Sequence, residues 1–176
     1  MKEILERITN QFHCLDHEYQ PENLSWVQVE KEQLVPLLSH LKHTENFEHF
    51  VLLTAVDWIE NNKFQLNYIV TNYDLHVDLA IRVMIPRDNP VMITAHHLWK
   101  QIATYQREIR EMFGIDFPGS PRVNESFLLE GWDNMPPMRR DFDTKKYAED
   151  TFFPRPRPEG IDPKIHMKQK LYPDEK

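Results

Sequence analysis

The residues near the start of the chain that are best suited to chemistry are Cys14 and its neighbours His13 and His17. A thiol beside imidazoles has the composition of an activated nucleophile or of a metal site. The three residues lie in a polar connector, where such a grouping is more often incidental than functional. The chain has one cysteine, so it cannot supply an internal disulfide or the thiolate set of an iron–sulfur cluster. We therefore expect no catalytic role here.

His96 and His97 form a second candidate ligand pair. Adjacent helical residues point to different faces, whereas two zinc ligands on one helix need i, i+4 spacing. We therefore expect both imidazoles to be polar surface groups. The sequence has four glycines, none in a G-x-G or Walker arrangement, and no G-x-S-x-G turn. These patterns predict no catalytic, cofactor-binding or metal-binding residue in this chain.

The charge-dense segment 106–117 is the strongest candidate for a binding role. Arg107 and Glu111 are four residues apart, so on a helix they would form a surface ion pair worth roughly 0.2–0.5 kcal/mol. The alternative is that Arg107, Glu108 and Glu111 clamp another segment or a partner protein. Gly114 is expected to end the helix. The pattern alone leaves both interpretations open.

The elements around this segment predict an α+β fold. Apolar residues recur at helical spacing near the N-terminus, after Lys31 and over residues 98–112, and they predict three helices. A short apolar run at 26–29 and longer segments at 50–58, 64–70 and 76–85 predict strands, the last three joined by short turns. We expect a small, mainly antiparallel sheet of three or four strands, covered by helices on its apolar face.

The composition changes after residue 117. We expect residues 1–117 to form a compact α+β domain and residues 118–176 to form an extended, proline-rich C-terminal arm, because this part holds nine of the 13 prolines and no lasting periodicity. Such a segment cannot offset its own ordering entropy. Its large apolar groups nevertheless need a surface to lie on. We expect a partner subunit to order the arm through aromatic anchors: Trp132, Phe142, Tyr147, Phe152 and Phe153.

Charge and hydropathy limit the other partners. Residues 1–117 carry 10 Lys and Arg against 17 Asp and Glu, whereas residues 118–176 carry 11 of each. An acidic domain repels phosphate backbones, so no nucleic-acid partner is expected for it. The N-terminus lacks the apolar core of a signal peptide, and no segment approaches the roughly 20 apolar residues that cross a bilayer. We expect membrane contact to be only indirect or peripheral.

Four segments carry a longer pattern: A-V-D-W at 55–58, P-R-D-N-P at 86–90, Q-R-E-I-R-E-M-F-G-I at 106–115 and P-M-R-R-D-F at 137–142. Together they resemble the family of the 30 kDa subunit (the C-type subunit) of respiratory complex I, which also supplies a subunit of membrane-bound nickel–iron hydrogenases. The similarity is collinear over about residues 47–143. The paired motifs E-R-E-x-x-D-x-F-G and P-L-R-K-D-[FY] are specific to this family. Gln106 and Glu111 stand where the first motif has Glu and Asp.

The resemblance implies a non-catalytic scaffold subunit of proton-pumping NADH:quinone oxidoreductase. Such a subunit lies in the peripheral arm of the complex and docks on the large subunit that forms the quinone site. It binds no cofactor itself, because flavin and iron–sulfur clusters belong to partner subunits. The implied location is the cytoplasmic side of the inner (cell) membrane, without insertion.

The second motif supplies further candidate clamp residues. Arg139, Arg140 and Asp141 are expected to form desolvated ion pairs that fix the register of the arm, either with the partner or with Glu108 and Glu111.

Two other functions remain open. In the first, the chain is the equivalent subunit of a membrane-bound nickel–iron hydrogenase, since the discriminating cofactors would lie on other subunits. In the second, it is a free-standing adaptor whose proline-rich run at 154–158 adopts polyproline II and is bound by an aromatic groove.

Overall fold

The computed structural model describes residues 1–21, 24–152, 167 and 170. Its helices and strands follow in the order α1 (Lys2–Gln11), β1 (Cys14–Glu18), β2 (Ser25–Val29), α2 (Leu34–His43), β3 (His49–Trp58), β4 (Lys63–Asn72), β5 (Val77–Pro86), α3 (Ile102–Phe113) and α4 (Thr144–Thr151). Short 3₁₀ helices cover Lys31–Gln33 and Ile59–Asn61. Met1–Phe142 forms one compact unit, and a second unit begins at Asp143. The predicted α+β class is confirmed.

The five strands form one sheet in the order β1-β2-β5-β4-β3. The pairs β1–β2, β3–β4 and β4–β5 are antiparallel, whereas β2 and β5 run parallel. The sheet is therefore mainly antiparallel, as predicted, but it has five strands instead of three or four. The sequence does not predict β1 because its residues are nearly all exposed and show no apolar alternation.

The core lies on one face of this sheet. Burial alternates strictly along β4, where Phe64, Leu66, Tyr68 and Val70 all point inward and are fully buried. Helices α1, α2 and α3 contribute their own apolar stripes to the same core cluster. Full burial of a leucine or phenylalanine contributes about 1.5–3 kcal/mol. This packing fixes α3 on the sheet and so positions its charged residues.

Polar bonds also join the sheet edge to the segment leading into α3. Strand β3 lies at an edge of the sheet, where carbonyl groups would otherwise be unpaired. Trp99 Nε1 donates to the Glu48 carbonyl (2.8 Å), and the Tyr105 hydroxyl donates to the Val51 carbonyl (3.0 Å). The side-chain amide of Gln101 donates to the carbonyl of Phe50.

Helix α3 ends at Phe113 with Gly114 as its cap, in agreement with the predicted end, and it begins at Ile102, one turn later than the predicted stripe. Gly114 has a φ of +76°, and its N–H donates to the Arg110 carbonyl. This left-handed conformation strongly favours glycine. A Cβ at this position would lie 3.1 Å from Cγ of Pro136. Glycine therefore both ends the helix and permits a close approach of the following chain.

Residues 118–142, which we call the strap, belong to the compact unit that ends at Phe142. The structure thus places the end of this unit well beyond residue 117, where the sequence suggested a boundary. The strap contains turns but no helix or strand, and its Val123 enters the hydrophobic core. Its attachment to the body depends mainly on individual polar groups, which leave no periodic signal.

The second unit contains α4, which the sequence pattern did not predict. Asp143 begins this helix, and its side chain accepts a hydrogen bond from the Lys146 N–H (2.9 Å). The proline-rich run at 154–158 and Phe153 lie outside the described residues. Ordering of the C-terminal arm by a partner stays a prediction.

Candidate functional site

The first attachment point of the strap is built around Asp57, which is 5% exposed on the inward face of β3. Asp57, Phe64 and Ile85 are paired across three strands, and Arg87 follows two residues after Ile85. Arg87 therefore reaches Asp57 across the Phe64 ring, with its guanidinium 5.4 Å from the ring centre. Its Nε lies 2.7 Å from Oδ1 of Asp57, and its Nη2 donates to Oδ2 (3.0 Å). This pairing offsets the cost of burying the carboxylate.

The strap joins this pair through its Arg-Arg-Asp motif. The backbone N–H of Arg140 donates to Oδ2 of Asp57 (3.0 Å), and Asp141 accepts a bond from Nη2 of Arg87 (2.8 Å). The Arg140 side chain bonds both carboxylate oxygens of Glu60 (2.6 and 2.7 Å), but this pair is more than half exposed and contributes little. We call Asp57, Arg87, Arg140 and Asp141 the Asp57 clamp.

The charged forms of Asp141 and Arg87 are favoured in this clamp. Burial opposes ionisation of Asp141, but a backbone N–H and Arg87 outweigh it and lower the pKa of the carboxyl. The hydrogen bond with Asp57 is the main cause of the raised pKa of Arg87. The hydrogen bond from Arg140 lowers the pKa of Glu60. These directions favour the ionised forms of Asp141, Arg87 and Glu60.

A second attachment point lies on α3, where Glu111 accepts two backbone hydrogen bonds from the strap. The N–H of Phe127 donates at 2.7 Å and that of Leu128 at 2.8 Å. Burial raises the pKa of Glu111, but the backbone donors and the charge of Arg107 outweigh it and lower the pKa overall. The N–H of Met138 also donates to the Met112 carbonyl (3.0 Å). We call these contacts, which join Glu111 and Met112 of α3 to Phe127, Leu128 and Met138 of the strap, the Glu111 clamp.

Of the two interpretations of Arg107, the i, i+4 ion pair with Glu111 is not formed among the described residues. The Arg107 guanidinium instead lies 5.0 Å from the ring centre of Phe127 on the strap, a cation–π contact. Arg107, Arg110, Glu111 and the strap together line a groove of about 240 Å³. Arg110 forms an ion pair with Asp116.

The other polar and charged positions of the motif have different surroundings. Gln106 is fully buried and accepts a hydrogen bond from the Thr94 hydroxyl (2.7 Å). None of the ion pairs in the described part of the chain involves Glu108. The strap residues Arg140 and Asp141 bond to the Asp57 clamp and Glu60, so the predicted intrachain pairing with Glu108 and Glu111 is not formed by them. Arg139 instead lies 5.3 Å from the Phe64 ring centre.

The predicted aromatic anchors contact one another within each unit. The rings of Trp132 and Phe142 lie 5.7 Å apart in the first unit, and those of Tyr147 and Phe152 lie 6.4 Å apart in the second. Phe153 is outside the described residues. Insertion of these rings into a partner remains a prediction.

Three apolar side chains of the strap are exposed: Leu128 (71%), Met138 (56%) and Met135 (40%). They are among the large apolar groups for which the sequence already indicated a need for a covering surface. Sequence reasoning did not select Asp57 and Arg87 as site residues, although both lie in the motif segments. The available signal was an acid at an inward strand position, where a core residue would be expected.

The early candidates for chemistry do not assemble into a site within the described residues. Burial raises the pKa of the Cys14 thiol, which disfavours the reactive thiolate. His96 Nδ1 lies 3.0 Å from the Thr94 hydroxyl. No group of three or more His, Cys, Asp or Glu suited to a metal occurs in residues 1–21, 24–152, 167 and 170. Within the same residues, every helix is too short or too polar to span a bilayer.

Comparison with known sequences identifies a family. The family described as "Respiratory-chain NADH dehydrogenase, 30 Kd subunit" matches residues 27–148. The C/D 2 polypeptide of NADH-quinone oxidoreductase from Aquifex aeolicus is 31% identical over 80% of this chain and 24% of its own length. Membrane-bound hydrogenase subunit beta of Pyrococcus furiosus is 30% identical over 66% of this chain and 68% of its own length. The chain thus spans about a quarter of the C/D relative.

Solved structures share the fold. A chain of the membrane-bound sulfane sulfur reductase, an archaeal respiratory membrane complex, matches with a TM-score of 0.78 at 23% identity, covering 88% of this chain and 96% of that one. A trypsin-resistant fragment of Nqo5 matches with a TM-score of 0.60 at 21% identity, covering 68% of this chain and 96% of the fragment. Since the family match covers most of the chain and includes both clamps, this protein belongs to the family of the 30 kDa subunit of respiratory-chain NADH dehydrogenase, complex I.

Proposed function

We propose that this chain is a non-catalytic scaffold subunit in the peripheral arm of a proton-pumping NADH:quinone oxidoreductase. It docks on the large subunit that forms the quinone site and supports electron transfer from NADH to quinone. Flavin and iron–sulfur clusters are held by partner subunits. The chain lies on the cytoplasmic side of the inner (cell) membrane and contacts the membrane only indirectly or peripherally.

The observation that carries this proposal is the way the strap is held. Two clamps tie it to the body through buried or half-buried charges, yet Leu128, Met135 and Met138 remain exposed on it. Contiguous exposed apolar groups mark interaction surfaces, and our proposal is that these three side chains belong to one such surface. A segment that is already ordered loses less entropy when it binds, so the clamps favour association.

The C/D relative supports the choice of partner. In that protein, a region similar to 80% of this chain occupies only 24% of a longer polypeptide whose name joins C and D. A C-type region joined covalently to a D-type region is expected to lie beside it. We infer that the separate chain binds the corresponding large subunit through the strap.

The test places a charge on the strap within the complete complex. Leu128→Asp and Met138→Asp change exposed side chains, so folding stability should change by only about 0.5 kcal/mol. A carboxylate buried in an apolar contact should weaken binding by at least about tenfold. The measurement is co-purification with the large subunit, together with NADH:quinone activity of the membranes.

Leu75→Asp is the matched control, because Leu75 is 53% exposed in the turn between β4 and β5. We expect this variant to assemble normally. Normal recovery of the large subunit with both strap variants would show that the proposal is wrong.

A hydrogenase-type complex is the second candidate. The 30% identity to membrane-bound hydrogenase subunit beta is close to the 31% identity to the C/D relative, so the family alone leaves the electron donor open. Nickel analysis of the complex that co-purifies with this chain separates the two functions. Stoichiometric nickel with hydrogen-dependent activity would support the hydrogenase, and NADH-dependent quinone reduction without nickel would support the first proposal.

A further inference from the structure

We propose that the groove between α3 and the strap binds a carboxylate side chain of the partner subunit, and that Arg107 is the residue that binds it. This inference rests on the proposed docking function and assigns one specific contact within it. We call the site the Arg107 groove, and its lining residues are Arg107, Arg110, Glu111, Val123, Asn124, Glu125, Ser126, Leu129, Trp132, Asn134 and Pro136.

The first reason is the hydrogen-bonding state of Arg107. Its Nε is buried and has no hydrogen-bond acceptor among the described residues. The guanidinium lies over the Phe127 ring at 5.0 Å from its centre, and a ring face accepts no strong hydrogen bond. A buried donor without an acceptor is costly, and a guanidinium presents a planar fork that matches a carboxylate. Because Arg107 also lines the groove, a carboxylate that enters from outside the chain would bind its guanidinium and offset part of this cost.

The second reason is the charge balance of the groove. Its lining contains two arginines and two glutamates. Arg110 is paired with Asp116, Glu125 with Arg122, and Glu111 accepts the strap N–H groups. Within the described part of the chain, Arg107 is the groove cation that has neither an ion pair nor a hydrogen bond to an acidic group, although its charge acts on Glu111 from a longer distance.

The third reason is the fit of a carboxylate rather than a larger anion. A phosphate would bring nearly two negative charges close to Glu111 and Glu125, whereas a carboxylate brings one. The apolar walls at Val123, Leu129 and Pro136 suit the methylene stem of an Asp or Glu side chain. The groove also borders the exposed strap surface, because Phe127 and Leu128 adjoin it in sequence. One partner surface could therefore contact both features.

Carbodiimide cross-linking of the intact complex tests this contact directly. Arg107→Lys retains the positive charge and introduces an amine, which the reagent joins to a carboxylate within contact distance. We expect a cross-link between position 107 and an Asp or Glu of the partner, identified by mass spectrometry. Lys100, an exposed residue just before α3, serves as the amine control in the same sample. The inference would be overturned if every cross-link found at position 107 joined it to a residue of this same chain.

Arg107→Gln gives an independent measurement. Removing one partner of a desolvated charge pair should weaken binding of the large subunit by about thirtyfold or more. Lys100→Gln removes the same charge from an exposed site and should leave binding unchanged. Thermal unfolding of the full chain checks that Arg107→Gln still folds.

The outcomes separate this inference from the docking proposal. Loss of binding with Leu128→Asp but normal binding with folded Arg107→Gln would overturn the groove contact and leave docking supported. Normal binding with all of these variants would overturn both. Loss with Leu128→Asp and folded Arg107→Gln, together with the intermolecular cross-link, is the expected result.

Discussion

Replacing Asp57 with alanine removes the acceptor that Arg87 and the strap share. In the native chain, Asp57 binds Nε and Nη2 of Arg87 at 2.7 and 3.0 Å and the Arg140 N–H at 3.0 Å. We expect two results from Asp57→Ala. The whole unit should lose stability because Arg87 loses its buried counter-ion, and the strap should open more often because its anchoring acceptor is gone.

The size of the effect follows from burial. Removing one member of a buried ion pair costs about 3–5 kcal/mol. Arg87 keeps its bond to Asp141 in the variant, and its side chain is 10% exposed, so water can reach part of it. These two factors favour the lower end of the range, about 3 kcal/mol. For a unit of this size, that loss corresponds to a decrease in Tm of roughly 10 °C.

Two measurements on the full chain detect these effects. Urea unfolding followed by circular dichroism gives the free energy of unfolding, and limited trypsin digestion reports opening of the strap at Arg139 and Arg140. The matched control is Asp88→Ala, because Asp88 is exposed and bonds the Asn62 amide (2.7 Å). We expect the control to lose less than about 1 kcal/mol and to show no faster cleavage.

The reasoning is refuted if Asp57→Ala loses no more stability than Asp88→Ala. It is also refuted if stability falls but trypsin cleavage after Arg139 and Arg140 stays at the native rate in conditions where the variant remains folded. In that case Asp57 would contribute to the core without holding the strap.

Three further predictions concern α3. The pKa of Glu111 is lowered, so the stability that its ionised form contributes is fully present above the ordinary pKa of 4.5 and decreases as pH falls through the folded pKa. The difference in Tm between the native chain and Glu111→Gln should therefore shrink in acid. A difference that does not change with pH would contradict this. Gly114→Ala should cost about 1–2 kcal/mol in urea unfolding, because φ is +76° and Pro136 lies 3.1 Å from the added Cβ. Gln106→Glu buries a carboxyl whose folded pKa should be raised, so the variant should lose stability relative to the native chain between pH 4 and 8, as Tm measurements would show.

The regular elements were predictable because their signals are local. Alternation along β4 and the stripe along α3 directly reflect which side chains are buried. Gly114 also marked the helix end correctly. Strand β1 gave no such signal, since its side chains lie mostly in solvent, and it was found only through its pairing with β2.

The clamps were less predictable because they depend on distant residues. The Arg140 N–H and Asp57 are 83 positions apart, and the Arg87 guanidinium crosses the intervening strand β4 to reach the same carboxylate. No periodicity links such groups. The motifs drew attention to Arg139, Arg140 and Asp141, but only the sheet register shows why Asp57, Arg87 and Glu60 lie near them.

The bonds from Trp99, Gln101 and Tyr105 to the edge of β3 have a consequence for assembly. They occupy the carbonyls of Glu48, Phe50 and Val51, which an incoming strand would need in order to extend the sheet. Strand addition at this end of β3 is therefore blocked, both for a second copy of the chain and for misfolded neighbours. At this end of β3, recognition by a partner is therefore left to side chains rather than to backbone pairing.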